Sequence, residues 1–401
     1  MRQHFLEAIR RGGTLSRLAV FVLALGLAAG NPSAARADGE EGVRACWVVR
    51  TTMTNPRRIE RMVRRAKQNG VKVLFVQVRG RADAYYRSHV EPRAEAVEDT
   101  TFDPLALAIK LGHEQGLEVH AWLNVFLVWS ADKNPRDPGH IVNAHSDWLA
   151  VLPDGHSVFG LTRYEFDQAV TEGMYTAAGN PEVRAEFLSV VRDLLQNYAV
   201  DGVHLDYVRY PSSPTGYDYA TRTEFMRLTG VDPAWMADRP EYLKERYGAA
   251  GVDDLAKRWA VWQTSNVTAL VRGVRALADS IRLGTQVTAA VISDLDAARG
   301  RNRQDWIGWL KDGLLDYAVP MTYSPDDGIY RHQLSRILAE APGKKVVAGV
   351  GVYDETAHGA NRKMRIAREL GAAGISLFSY DAIEEEPAYW QAIRREFMGL
   401  P

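Results

Sequence analysis

The chain has 401 residues, of which 46% are hydrophobic, 25% charged and 9% aromatic. Those proportions belong to an ordinary globular protein and exclude a disordered chain, a collagen-like repeat and a multi-span membrane protein. Lys and Arg number 49 against 50 Asp and Glu, a net charge of -1, so no basic excess exists to drive nucleic-acid binding.

At the N-terminus, Arg2, Arg10, Arg11 and Arg17 precede an apolar run at 18–29, which Asn31-Pro32 interrupts. Ala35-Arg36-Ala37 then places small residues at the two positions a signal peptidase reads. Residues 1–37 are expected to be a cleavable secretory signal, which makes the protein secreted or periplasmic. The apolar run is too short for the roughly 20 residues that cross a bilayer. Cleavage leaves 38–401 as a single expected domain with 44 basic and 49 acidic side chains. Cys46 is the one cysteine, which excludes an internal disulfide and a cysteine-rich metal site, and it reads as a buried strand thiol.

Short, nearly all-apolar runs follow at 43–51, 71–79, 117–125, 202–207, 286–292, 315–321, 345–350 and 374–378, the pattern of parallel strands buried on both faces. Amphipathic segments at 56–68, 104–115, 181–198, 303–311 and 360–370 alternate with them. Asn55-Pro56, Asp103-Pro104 and Asn180-Pro181 pair a capping side chain with a proline at the first helical position, and Gly70, Gly116 and Gly371 follow helix ends. Eight strand–helix units predict an α/β fold, a closed (β/α)8 TIM barrel. Two long stretches, 126–180 and 208–252, leave from the C-terminal ends of the third and fourth strands, where barrels of this kind build their sites.

Alternation along a strand separates inward from outward side chains. On the third strand Val119, Ala121 and Leu123 face the helices, leaving His120, Trp122 and Asn124 inward. On the fourth, Val203 and Leu205 face out, leaving Gly202, His204 and Asp206 inward. Gln77 and Arg79 share the inward parity of the second strand. Such polar groups must pair with one another or meet a ligand. Asp206, at a strand tip beside an aromatic-rich loop, is the foremost functional candidate, whereas His120 and Gln77 lie one layer down. Asp201 and Asp316 open their strands at the opposite rim and read as turn residues.

The segment Asp201-Gly-Val-His-Leu-Asp-Tyr-Val-Arg-Tyr-Pro211 resembles the signature of glycosyl-hydrolase-like family ten. Arg44-Ala-Cys-Trp47, Gln77-Val-Arg79, Asp83-Ala-Tyr85-Tyr-Arg-Ser88, Asp103-Pro-Leu105, His120-Ala-Trp-Leu-Asn124, Gln304-Asp-Trp306 and Asp316-Tyr-Ala-Val-Pro-Met-Thr-Tyr323 extend the resemblance along the chain. It implies a secreted TIM-barrel glycosidase, with members that cut peptide-free peptidoglycan glycan. It also implies Asp206 as a strand-four nucleophile, which Arg79, His204 and Arg209 are placed to hold ionised. Tyr85, Trp122, Trp129, Tyr207, Tyr210, Tyr323 and Tyr380 offer flat faces for sugar rings, Trp122 and Tyr323 foremost. The expected partner is a polysaccharide or oligosaccharide, with no cofactor, no metal and no nucleic acid.

Glycoside hydrolysis needs a second carboxyl group. Related barrels place a glutamate at the end of strand five, but here that end reads Ala290-Val-Ile-Ser-Asp294-Leu-Asp296. Asp294 by position, Asp305 by motif and Glu355 after strand seven are the candidates. Two other readings stay open: a non-catalytic carbohydrate-binding barrel, and a metal-dependent hydrolase using His120, His204 and Asp206. The run Glu384-Glu-Glu386-Pro387 is expected to cap the last helix.

Overall fold

The expected helix caps form. Asn55 accepts from the backbone N–H of Arg57, Asp103 from Ala106 and Asn180 from Glu182, opening the helices Pro56–Gln68, Pro104–Glu114 and Pro181–Asn197. Proline at the first position presets φ where no helical hydrogen bond is lost. Gly116, at φ 67°, turns the chain after the second of these back toward the sheet, a conformation that costs a side chain energy and glycine almost none. The computed structural model describes residues 42–400 apart from 169, 170 and 344, so the leader expected at 1–37 lies outside the described residues.

Among the described residues ten strands follow in chain order: β1 (Val43–Val48), β2 (Val73–Arg79), β3 (Glu118–Asn124), β4 (Leu127–Trp129), β5 (Met174–Tyr175), β6 (Gly202–Asp206), β7 (Gln286–Val291), β8 (Tyr317–Pro320), β9 (Val347–Gly351) and β10 (Gly374–Phe378). β4 and β5 form a small antiparallel pair, and the others make one parallel sheet in the order β8-β7-β6-β3-β2-β1-β10-β9. Its two outer strands meet where Ala318 bridges Val346, with the Ala318 N–H 3.0 Å from the Lys345 carbonyl, so the sheet nearly closes on itself. With helices between its strands, this is the eightfold β/α barrel that the alternation predicts.

Both long insertions leave from the same rim. The first carries β4 and β5. The second builds the helices Tyr219–Thr229, Trp235–Asp238 and Pro240–Ile281, the last broken at Gly248. Phe225, Val231, Leu243, Leu255 and Trp259 give this insertion a small core of its own, while Val267, Leu270, Val271 and Val274 farther along the same helix pack into the main core. The insertion therefore merges with a barrel helix without a loop between them.

The alternation holds on β3 and β6. Trp122 joins Trp47, Phe75, Tyr317 and Val319 inside the barrel, and Val119, Ala121, Leu123, Val203 and Leu205 turn to the helices. At the rim opposite the insertions, Asp201 accepts from the Val119 N–H at 2.7 Å and Asp316 from the Val287 N–H at 2.8 Å, the turn roles expected of them. Cys46 is fully buried, and burial pushes its thiol pKa up. The acidic run at 384–386 does not cap the last helix, Pro387–Phe397, whose N-cap Glu386 makes no side-chain cap bond. Glu384 instead meets Arg58 at 2.5 Å and Glu385 meets Arg61 at 2.9 Å, because basic groups of the helix Pro56–Gln68 lie alongside.

Candidate active site

Asp206 is the last residue of β6. Tyr207 follows at φ 49°, a left-handed conformation uncommon outside glycine, and turns the chain sharply. That turn brings the Tyr207 N–H back onto Asp206 Oδ1 at 2.7 Å, while Trp122 Nε1 donates to Oδ2 at 3.2 Å. The carboxyl is 6% exposed, and burial pushes its pKa up to about 6. The Tyr207 N–H, the Arg209 charge and the Trp122 bond oppose that rise, whereas the negative charge of Glu172 adds to it.

Arg209, three residues on and also buried, donates from Nη2 to Glu172 Oε1 at 2.8 Å and lies 4.9 Å over the Tyr207 ring. The Tyr175 hydroxyl donates to Glu172 Oε2 at 2.8 Å. Burial works to raise the Glu172 pKa, but the Arg209 charge and these bonds outweigh it and hold the group below the usual carboxylate range. Glu172 retains 43% side-chain exposure, so it is open to a ligand. None of the sequence candidates named it: it sits in the irregular part of the first insertion, where no strand parity applies. Its one sequence signal was a place in the insertion on the functional rim.

Aromatic rings wall the same rim. Tyr323 stacks on Phe378 with ring centroids 5.3 Å apart, and Tyr353, 53% exposed, stands edge-on to both. The Tyr323 hydroxyl lies within reach of the Asp206 charge. Tyr323 thus stands on the same rim as Asp206. Trp122 does not fit the platform role, because it is 4% exposed and its N–H is committed to Asp206; it positions the carboxyl instead. Tyr380 is wholly buried, and Tyr210 nearly so. Tyr85 and Trp129 line a cavity of about 250 Å³, and Trp129 also lines a second of about 320 Å³ that reaches Glu172.

Several expected members of the cluster are directed elsewhere. The β2–β3 register slips so that Gln77 pairs with Trp122 but Arg79 pairs with Leu123, an outward position. Arg79 accordingly leaves the barrel axis to meet Glu91 at 2.7 Å and to lie 5.3 Å over Phe187, and does not hold Asp206 ionised. Asn124 donates to the Gly80 carbonyl at 2.8 Å and accepts from Gln77 at 3.3 Å, bracing the turn after β2. His204 Nε2 accepts from Trp47 Nε1 at 2.9 Å, so its proton sits on Nδ1 and points at Thr288 Oγ1, also 2.9 Å away. Burial, together with the nearby His120, keeps its pKa well below the usual value, so it supplies no positive charge. His120 is wholly buried, with Nε2 3.4 Å from Glu118 at the start of β3, and belongs to the barrel floor.

The proposed acids are also placed. Asp294 is exposed and caps the helix Leu295–Gly300 through the N–H groups of Asp296 and Ala297. Asp305 caps Trp306–Lys311 through the Gly308 N–H at 3.3 Å. Glu355 is ion-paired with the buried Lys363. The structure brings none of the three into the hydrogen bonds around Asp206. Nor do His120, His204 and Asp206 converge: among the described residues no three His, Cys, Asp or Glu side chains gather as metal ligands would.

The Glycosyl hydrolase-like 10 family model matches residues 42–358. Glycosyl hydrolase YngK of Bacillus subtilis (strain 168) is 23% identical over 326 residues, covering 73% of this chain and 56% of that protein. Glycosyl hydrolase DigH of Escherichia coli (strain K12) is 26% identical over 286 residues, covering 64% and 55%. The chain thus spans about half the length of these curated relatives. The glycoside hydrolase domain of PgaB (BpsB) from Bordetella bronchiseptica superposes with a TM-score of 0.67 at 16% identity, covering 88% of this chain and 98% of that one. The catalytic domain of beta-amylase from Paenibacillus polymyxa gives 0.60 at 13% identity, covering 90% and 98%. At such identities these two likenesses concern the fold, whereas the family match concerns the sequence itself. On that match, the chain belongs to the glycosyl hydrolase-like 10 family.

Proposed function

We propose that the protein is an exported glycoside hydrolase acting on a cell-wall or extracellular polysaccharide, with Asp206 and Glu172 as its two carboxyl groups. The observation that carries this reading is a pair of acids that share the charge of Arg209 and whose environments push their pKa values in opposite directions. A glycosidic oxygen leaves poorly as an alkoxide, so one group must deliver a proton to it. Asp206, with its pKa up at about 6, holds a proton at higher pH than Glu172 and takes that part, instead of the nucleophile's part the family resemblance implies. Glu172 stays ionised and faces the positive charge that develops on the sugar, as nucleophile or as base for water. Tyr323, Phe378 and Tyr353 supply the apolar wall against which the ring rests.

The test is product release from peptide-stripped peptidoglycan, chitin and β-glucans by the wild-type chain and Asp206→Asn in parallel. Products from the wild type alone support the hydrolase. Binding without products from either protein moves the reading to a sugar-binding barrel.

A further inference from the structure

The turn after β6 serves both carboxyls, since Tyr207 returns its N–H to Asp206 and Arg209 reaches Glu172. Little in the Arg209 side chain itself fixes that reach. Among the described residues its hydrogen-bond partner is Glu172, and its buried Nε has none. The backbone at 206–210 must therefore be held from outside. On the β3 side, the Val125 N–H donates to the Asp206 carbonyl at 2.7 Å and the Phe126 N–H to the Tyr207 carbonyl at 3.2 Å. Those bonds end at Tyr207, whose left-handed φ is costly for a residue with a side chain.

The far half of the turn is met by the loop after β7. Asn302, buried, spans Tyr210 with two bonds: its carbonyl accepts from the Tyr210 N–H and its Nδ2 donates to the Tyr210 carbonyl, each at 2.9 Å. Gln304, also buried, donates from Nε2 to the Val208 carbonyl at 3.4 Å and accepts at Oε1 from the Ile292 N–H at 2.9 Å. Trp306 Nε1 donates to the Ile292 carbonyl at 3.1 Å, so Gln304 and Trp306 take both polar groups of the residue just past β7 and pin the segment to the barrel. Arg303, between the two amides, adopts φ 53° and donates from Nε to Gln263 Oε1 at 3.0 Å, on the helix Pro240–Ile281. Buried amides are costly unless their bonds are made, and on the turn after β6 these two spend theirs on backbone.

We infer that Asn302 is a positioning residue for the reaction, with Gln304 as its anchor: through Tyr210 and Val208 it keeps the Tyr207 N–H on Asp206 and the Arg209 guanidinium on Glu172. The inference rests on the reading of Asp206 and Glu172 as the reacting pair. It gives Gln304-Asp-Trp306 a part in the chemistry that the helix cap at Asp305 does not explain. When the turn relaxes, Asp206 loses a donor and both carboxyls lose an aligned cation, so each holds its proton to higher pH.

Asn302→Ala removes the amide and leaves the backbone bond to Tyr210. Carboxyl-carbon NMR of the aspartate-labelled chain follows Asp206 directly, its signal being the one absent from Asp206→Asn. In Asn302→Ala the Asp206 pKa should rise by roughly 0.5–1 pH unit, and kcat should fall about tenfold while KM changes less than about twofold. Gly202→Ala, which crowds His120 on the barrel floor, should leave the Asp206 titration where it is. An unchanged titration or an unchanged kcat in Asn302→Ala, or the same rise in Gly202→Ala, would overturn the inference. Should Asn302→Ala not fold, Gln304→Met is measured in its place by the same criteria. Failure of both to fold would overturn the inference by making the segment part of the core. If the wild type cuts no glycan, the hydrolase reading fails while the titration still decides the positioning.

Discussion

Arg209 reaches across the mouth to Glu172 at 2.8 Å, tying the turn after β6 to the tail of the first insertion. Both carboxyls of the site feel this one cation, which lowers the pKa of each against its burial. In Arg209→Gln both groups should therefore hold their protons to higher pH. The acid limb of the pH–rate profile, set by Glu172, should move up, and the alkaline limb, set by Asp206, should move with it. A profile that loses height without shifting would show that Arg209 acts only on packing.

Asp206 should also be visible in stability. Its pKa rises from 3.8 to about 6 in the fold, so the native state keeps a proton that the unfolded chain releases. Stability contributed by that proton is complete below pH 3.8 and is lost as the pH rises to about 6. At 1.36 kcal/mol per pH unit, the wild type should fall relative to Asp206→Asn by about 2–3 kcal/mol between pH 4 and pH 7. Denaturant unfolding of both proteins at the two pH values measures this. A pH-independent difference would contradict the raised pKa.

The barrel floor makes a sterically plain prediction. A Cβ at Gly202 would lie 2.4 Å from the His120 ring, which is walled on another side by Phe75. Gly202→Ala should cost about 1–3 kcal/mol of unfolding free energy, by the usual penalty for overpacking. His204→Phe keeps the stack on Phe75, 3.9 Å between centroids, but strands the Trp47 N–H, and should cost about 1–3 kcal/mol. Neither change should move the pH–rate profile, because neither His120 nor His204 hydrogen-bonds Asp206, Arg209 or Glu172.

The barrel and the place of Asp206 at a strand tip were legible because parallel strands are buried on both faces and their side chains alternate with period two. Where that period breaks, the reading breaks too. The slip between Gln77 and Arg79 takes one residue out of step and sends Arg79 toward Glu91, and nothing in the residues themselves announces a bulge. Asp294 and Asp305 stood where an acid was wanted, but an aspartate before a helix serves equally well as a cap, and both serve so. Glu172 lay in a stretch with no period at all, and its place is set by Arg209 and Tyr175 from other parts of the chain. Trp122 was correctly read as inward, yet its exposure depends on neighbours from Trp47 to Phe378, which only the closed barrel defines.

The central claim is that Asp206 gives the proton and Glu172 meets the developing charge. It is tested most directly by hydrolysis of two matched glycosides, one with an ordinary sugar leaving group and one with a dinitrophenolate that departs without protonation. Asp206→Asn should lose about 10²–10⁴ in kcat/KM on the first and little on the second, whereas Glu172→Gln should lose activity on both. Equal losses of Asp206→Asn on the two substrates, or full activity of Glu172→Gln, would contradict the account.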